Sequence, residues 1–130
     1  MDDNLQQKYF QMQMIGTQMK QIEQQLESVG NQIMELQFMK DSLDEIPQSK
    51  IDSEILVPVG NGIFAKASLK NNEDVIVSVG AGVAVKKSFK DTAEMIDSQI
   101  NDMRNVESQL ISKLEQYAMI VQDFEHQLKE

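Results

Sequence analysis

Apolar side chains recur on a seven-residue period along both ends of the chain and gather into short β-branched runs in its middle. With Met12 as heptad position a, the a positions of the first stretch are Leu5, Met12, Met19, Leu26, Ile33 and Lys40, and the d positions are Lys8, Ile15, Ile22, Val29, Leu36 and Leu43. Ten of these twelve are apolar, and the eight from Met12 to Leu36 are unbroken. In the last stretch, a falls on Ala93, Ile100, Glu107, Leu114, Val121 and Leu128, and d on Phe89, Ile96, Met103, Leu110, Tyr117 and Phe124. Glu107 is the one polar residue among these twelve, with Val106 the alternative if the register is shifted. An apolar period of 3.5 residues held over five to six heptads predicts two coiled-coil helices, and the Gln and Glu that fill much of the remainder are good helix formers. The first helix is expected to stop near Ile46, because Pro47 disfavours helical geometry in the residue before it. The second is expected to start at Ser88, where Ser88 and Asp91 have capping-box-like spacing.

Between the helices a ten-residue pattern occurs twice. Val57-Pro58-Val59-Gly60-Asn61-Gly62-Ile63-Phe64-Ala65-Lys66 returns as Val77-Ser78-Val79-Gly80-Ala81-Gly82-Val83-Ala84-Val85-Lys86. Each copy is an apolar run, a Gly-x-Gly turn and a second apolar run, the pattern of a tight β-hairpin in which glycine supplies the positive φ. Strands are expected at about 54–59, 63–69, 74–79 and 83–87, forming a small four-stranded sheet, with Pro58 at an edge because it lacks a donor. The hairpins turn the chain back, so the two helices zip antiparallel within one subunit. Met12 then falls beside Phe124 and Leu36 beside Ile100, in pairs whose numbers add to 136. Helices of about 40 residues would give an arm of about 60 Å. The core available to one such subunit is thin, and open strand edges are templates for other chains. An obligate oligomer follows, its contacts carried by Val57, Val59, Gly60, Gly62 and Ile63 and by their counterparts Val77, Val79, Gly80, Gly82 and Val83. The expected fold class is α+β: a long antiparallel coiled-coil hairpin joined by two β-hairpins that assemble into an intersubunit β-barrel. A single domain of 130 residues divides into a helix at 1–47, a hairpin body at 48–87 and a helix at 88–130.

Charge narrows the partners. The net charge is −9, from 12 basic and 21 acidic residues. Residues 1–50 hold eight acidic and four basic side chains, residues 51–90 four and five, and residues 91–130 nine and three, so acidic arms flank a nearly neutral centre. That balance argues against nucleic acid and anionic membrane surfaces. The acidic start Met1-Asp2-Asp3 is the reverse of a signal peptide, and no apolar run is long enough to span a bilayer, so a cytoplasmic, soluble chain is expected. There is no cysteine, hence no disulfide or thiolate site.

Catalytic chemistry is not encoded in any recognisable form. The single histidine, His126, stands at the C-terminal end and has no serine-aspartate constellation to join. Gly60-x-Gly62 and Gly80-x-Gly82 lack the third glycine of a dinucleotide loop and the Lys-Ser/Thr of a P-loop. The acidic pairs Asp44-Glu45 and Glu73-Asp74 lack the ligand spacing of a calcium loop. No enzyme, cofactor or metal is expected.

Helix, duplicated hairpin and helix, with Ile55-Leu56-Val57-Pro58-Val59-Gly60-Asn61-Gly62 and Val77-Ser78-Val79-Gly80-Ala81-Gly82-Val83 between the helices, closely resembles the α-class subunits of the prefoldin (GimC) family over nearly the whole chain. Two hairpins distinguish the α class from the single-hairpin β class, and the length without long charged tails resembles the archaeal type. The resemblance implies a cytoplasmic hexamer of two α and four β subunits, with linked β-barrels and six coiled-coil arms around a cavity. It further implies capture of non-native proteins at the arm tips without ATP and delivery to a group II chaperonin. The alternatives are a coiled-coil scaffold or adaptor holding fixed partners, and a homo-oligomeric relative.

The residues support the tip mechanism independently. A seam needs only a and d, yet Tyr9, Phe10 and Met14 on the first arm and Met119 and Ile120 on the second are apolar and off the seam. With the seam-end residues Leu5, Met12, Val121, Phe124 and Leu128 they make up the expected client-binding tip. Methionine's flexible thioether suits varied partners. Phe38 and Met39, also off the seam, are expected to pack on the hairpin body.

Overall fold

The computed structural model describes residues 3–129; Met1, Asp2 and Glu130, and with them the acidic start read at Met1 and Asp2, lie outside the described residues. Two helices bracket four strands: α1 (Asp3–Glu45), β1 (Glu54–Gly60), β2 (Ile63–Ser68), β3 (Asp74–Gly80), β4 (Val83–Ser88) and α2 (Phe89–Lys129). Pro47 ends α1 as expected, and Ile46–Gln48 continue it as one 3₁₀ turn. Ser88 caps α2, its Oγ accepting from the Asp91 N–H at 3.0 Å. Thr92 is 4% exposed, and its hydroxyl donates to the Ser88 carbonyl at 2.8 Å, so its burial leaves no polar atom unpaired. The chain forms two compact units, one of residues up to Met34 with those from Asn101 onward, the other of Glu35–Ile100.

In the first unit, burial follows the heptad. Every a and d position from Leu5 to Ile33 and from Met103 to Leu128 is buried or half-buried. The remaining described side chains there are exposed, apart from the hydrogen-only Gly30. Ile22 at 5% and Val29 at 8% are the most enclosed. Glu107 is half-buried while Val106 is 40% exposed, so the register is the unshifted one and a carboxylate occupies a seam position. Replacing Glu107 with leucine is expected to stabilise the protein by about 1 kcal/mol, because the side chain then gains from burial instead of being desolvated. Thermal melting measures it; an unchanged or lowered Tm would contradict this placement.

In the second unit the strands form two separate two-stranded antiparallel sheets, β1–β2 and β3–β4, and not the single four-stranded sheet expected from the sequence. No outer edge of one hairpin is bonded to the other, and the ladder bonds stay within each hairpin. The Leu69 N–H donates to the Ser53 carbonyl, and the Phe89 N–H to the Glu73 carbonyl, each at 3.0 Å. Between the hairpins, Asn71 Oδ1 accepts from the backbone N–H of Glu73 at 2.7 Å and of Asp74 at 3.3 Å, turning the chain before β3 begins.

The twenty-residue repeat is therefore three-dimensional and longer than its motif. Glu54 pairs with Ser68 as Asp74 does with Ser88, and both registers shift before the turn, between Pro58 and Gly60 and between Ser78 and Gly80. Lys66 reaches Glu54 at 3.8 Å, and Lys86 reaches Asp74 at 3.4 Å. Leu69 and Phe89, 9% and 7% exposed, are the buried residues that follow each hairpin. Pro58 lies on β1, whose other side bears no strand, as its missing donor requires.

The helices of this unit meet in the expected register. Lys40, Leu43 and Pro47 line one shallow groove with Phe89, Ala93 and Asp97. Lys40, a charged residue at a seam position, has a partner: its Nζ is 2.7 Å from Asp97 Oδ1. That hydrogen bond and the carboxylate's charge hold the ammonium above the ordinary lysine range. Ile96 at 2% and Ile100 at 5% are the best-buried apolar residues here, and no large side chain among the described residues is completely enclosed.

Candidate functional site

Three surfaces carry unpaired apolar chemistry. The first lies on the first unit. Tyr9 is 46% exposed, Phe10 62%, Met14 49%, Met119 66% and Ile120 39%. They are exposed because α1 and α2 each offer one seam, and these positions fall outside it. Leu5, Met12, Val121, Phe124 and Leu128 are half-buried seam residues, so within the tip set the exposed area belongs to the off-seam five. Phe10 sits with Asp3, Gln6, Gln7 and Gln11 around a shallow concavity of about 400 Å³.

The second surface is the hairpin pair. Of the residues named from the sequence, Val57, Val59, Ile63, Val79 and Val83 are exposed and Val77 is half-buried. Gly62 and Gly82 hold the turns at φ 71° and 73°, and Gly80 has φ 100°, while Gly60 is not in the positive region. The structure adds residues that the sequence reading missed: Leu56 at 60%, Phe64 at 57% and Ile76 at 78% exposed. The signal was present. Ile55-Leu56-Val57 and Val75-Ile76-Val77 are unbroken apolar runs rather than alternating ones, which marks a strand with both faces to be covered.

The third surface corrects an expectation. Phe38 and Met39 stand beside the hairpin body but are not covered by it, at 73% and 47% exposure. With Leu43, Met95 and Ile96 they line an apolar groove of about 440 Å³ along Val75–Ser78 of β3. They stay open because β3 has β4 on one side and no strand on the other.

No helix of the described residues is long and apolar enough to cross a membrane, and no group of three or more His, Cys, Asp or Glu among them could hold a metal ion. Every buried side-chain polar atom among them has a hydrogen-bond partner. The chemistry these surfaces offer is therefore apolar contact and strand pairing.

Comparison with known proteins agrees with this architecture. The family model described as "Prefoldin subunit" matches residues 3–130. Prefoldin subunit alpha of Methanococcus aeolicus is 31% identical over 130 residues, covering all of this chain and 88% of that protein. Prefoldin subunit alpha of Methanococcus vannielii is 30% identical over 73 residues, 56% of this chain and 48% of the relative. Among solved structures, a chain of the filamentous PFD of Methanocaldococcus jannaschii, determined by cryo-electron microscopy, superposes with a TM-score of 0.75 over 85% of this chain and 92% of that one. At 16% identity this last likeness is one of fold. Two heptad helices around a duplicated hairpin, matched by the family model over residues 3–130 and by an archaeal α subunit over the full chain, mean that the chain belongs to the prefoldin family, in its α class.

Proposed function

We propose that the chain is a subunit of an ATP-independent holdase. It captures non-native proteins through the apolar groups of its first unit and passes them to a group II chaperonin in the cytoplasm. The observation that carries this reading is the exposure of Tyr9, Phe10, Met14, Met119 and Ile120 beyond the needs of the seam. A scaffold with fixed partners has no use for adaptable methionine at that surface, whereas apolar contact is non-directional and accepts many sequences. Net charge −9 keeps such a surface in solution. The hairpins, apolar on both faces and open at their edges, supply the assembly contacts, in a hexamer of two α and four β subunits joined through β-barrels.

The test replaces Tyr9 and Phe10 with serine and Met14 and Met119 with glutamine in the assembled protein. Oligomer size and helical content are expected to stay the same. Suppression of aggregation of a chemically denatured model protein is expected to fall about tenfold, on the scale of the apolar area removed. Wild-type protection should persist at about 0.5 M salt, because apolar capture survives charge screening. Full protection by the variant, or its disappearance from the wild type in salt, would move client binding away from these residues.

A further inference from the structure

The two turns of the repeat differ in one side chain. The first reads Gly60-Asn61-Gly62 and the second Gly80-Ala81-Gly82. All three residues of the second turn have positive φ, whereas in the first only Gly62 does, at 71°. Asn61 is exposed, and its side-chain amide bonds to no other described residue. A Cβ added at Gly62 would meet nothing within 4 Å, so the backbone that follows Asn61 stands in open space. The other six asparagines are held differently, and none of them is followed by glycine. Asn4, Asn31, Asn101 and Asn105 stand in helices, whose backbone is fixed by its own ladder. Asn71 Oδ1 accepts from the Glu73 and Asp74 N–H groups, and the Asn72 amide donates to the Ser49 carbonyl at 3.2 Å.

We propose that Asn61-Gly62 is a self-modifying site, at which the chain converts its own asparagine to isoaspartate and so loosens the first hairpin. The Gly62 backbone nitrogen gives up its proton and attacks Asn61 Cγ. The new C–N bond closes a succinimide ring, and the Cγ–Nδ2 bond breaks, the nitrogen leaving with that proton as ammonia. Water then opens the ring. Attack on Cγ leaves aspartate, and attack on the former backbone carbonyl leaves isoaspartate. Amide and water become acid and ammonia, so no oxidant, reductant or enzyme is required. A side chain on the attacking residue would crowd the approach and narrow its backbone; glycine does neither. Isoaspartate carries the chain through Cβ and Cγ, which adds a methylene to the main chain of a tight loop. Loop length sets hairpin register, and register sets which side chains share a face. Pairing between subunits uses strand edges rather than turns, so the site stays open in the assembly. The second turn, with Ala81 in place of the amide, cannot follow this course.

The consequence for assembly rests on the reading of the hairpins as the assembly contact, and the experiment separates the two. The full-length assembled protein is aged at neutral pH. Peptide mass mapping then follows amide-to-acid conversion at each asparagine, and chromatography separates isoaspartate from aspartate. Asn61 is expected to convert about tenfold faster than any other asparagine, the scale on which freedom of approach changes an intramolecular attack. Isoaspartate is expected in excess, concentrated in the subunits that sedimentation shows to have dissociated. Asn61→Ala, which gives the first turn the residue of the second, should prevent both the conversion and the loss of assembly on ageing. Fresh Asn61→Asp carries the new charge without the added methylene and should assemble like the wild type. Conversion no faster at Asn61 than elsewhere, or aspartate without isoaspartate, overturns the site. A fresh Asn61→Asp protein that is already dissociated, or an aged Asn61→Ala protein that dissociates like the wild type, overturns the loosening. Isoaspartate at Asn61 in subunits that stay assembled overturns the loosening alone if Gly62→Val breaks the oligomer, and the assembly reading with it if Gly62→Val does not.

Discussion

Gly82→Val is expected to break the assembly into single chains in sedimentation velocity while most of the helical ellipticity remains. Gly82 holds φ 73°, and its neighbour Ala81 is already in the left-handed region at φ 52°, so the second turn has positive φ at both central residues. A Cβ added at Gly82 meets nothing within 4 Å, so the cost lies in the backbone conformation that an L side chain rarely adopts. That cost is at least 1–2 kcal/mol, the ordinary penalty for an L-residue in this region, and an isolated two-stranded hairpin is marginal to begin with. The helices do not depend on the turn, since α2 has its own cap at Ser88. Gly62→Val at φ 71° should act in the same direction through the first hairpin. Gly60→Ala is the control, because Gly60 is not in the positive region and its added Cβ meets nothing within 4 Å. Intact oligomers in both valine variants would mean that the hairpins are not the assembly contact.

Ile96→Ala is expected to destabilise the protein by about 3 kcal/mol, the usual cost of deleting a well-enclosed aliphatic side chain. Ile96 is 2% exposed, the most buried apolar residue among those described. Ile111→Ala removes the same atoms from a site that is 42% exposed and should change stability by less than about 0.5 kcal/mol. Thermal melting by circular dichroism at one fixed concentration compares the two. Similar melting temperatures for both variants would show that burial at Ile96 does not hold this unit together.

The elements were legible because each rests on local chemistry. Strands expected at 54–59, 63–69, 74–79 and 83–87 occur at Glu54–Gly60, Ile63–Ser68, Asp74–Gly80 and Val83–Ser88, since paired glycines and β-branched runs act within a few residues. Pro47 and Ser88 set the helix ends through a missing donor and a side-chain acceptor, both properties of single residues. The heptad register, down to Glu107 inside and Val106 outside, follows from periodicity.

What lay beyond the sequence depends on groups far apart in the chain. Whether four strands make one sheet or two depends on whether the outer edge of one hairpin comes to lie against the other, which no local pattern announces. Lys40 reads as a defect in a seam until the fold sets Asp97 against it, 57 residues away. Phe38 and Met39 read as packed because large apolar residues usually are; only the position of the free edge of β3 leaves them open. The sequence by itself determined the two helices, the duplicated hairpin and the seam, because propensity, turn geometry and period are short-range. The tertiary structure decided the separation of the hairpins, the partner of Lys40 and the exposure of the apolar surfaces, because those depend on which distant segments come to lie side by side.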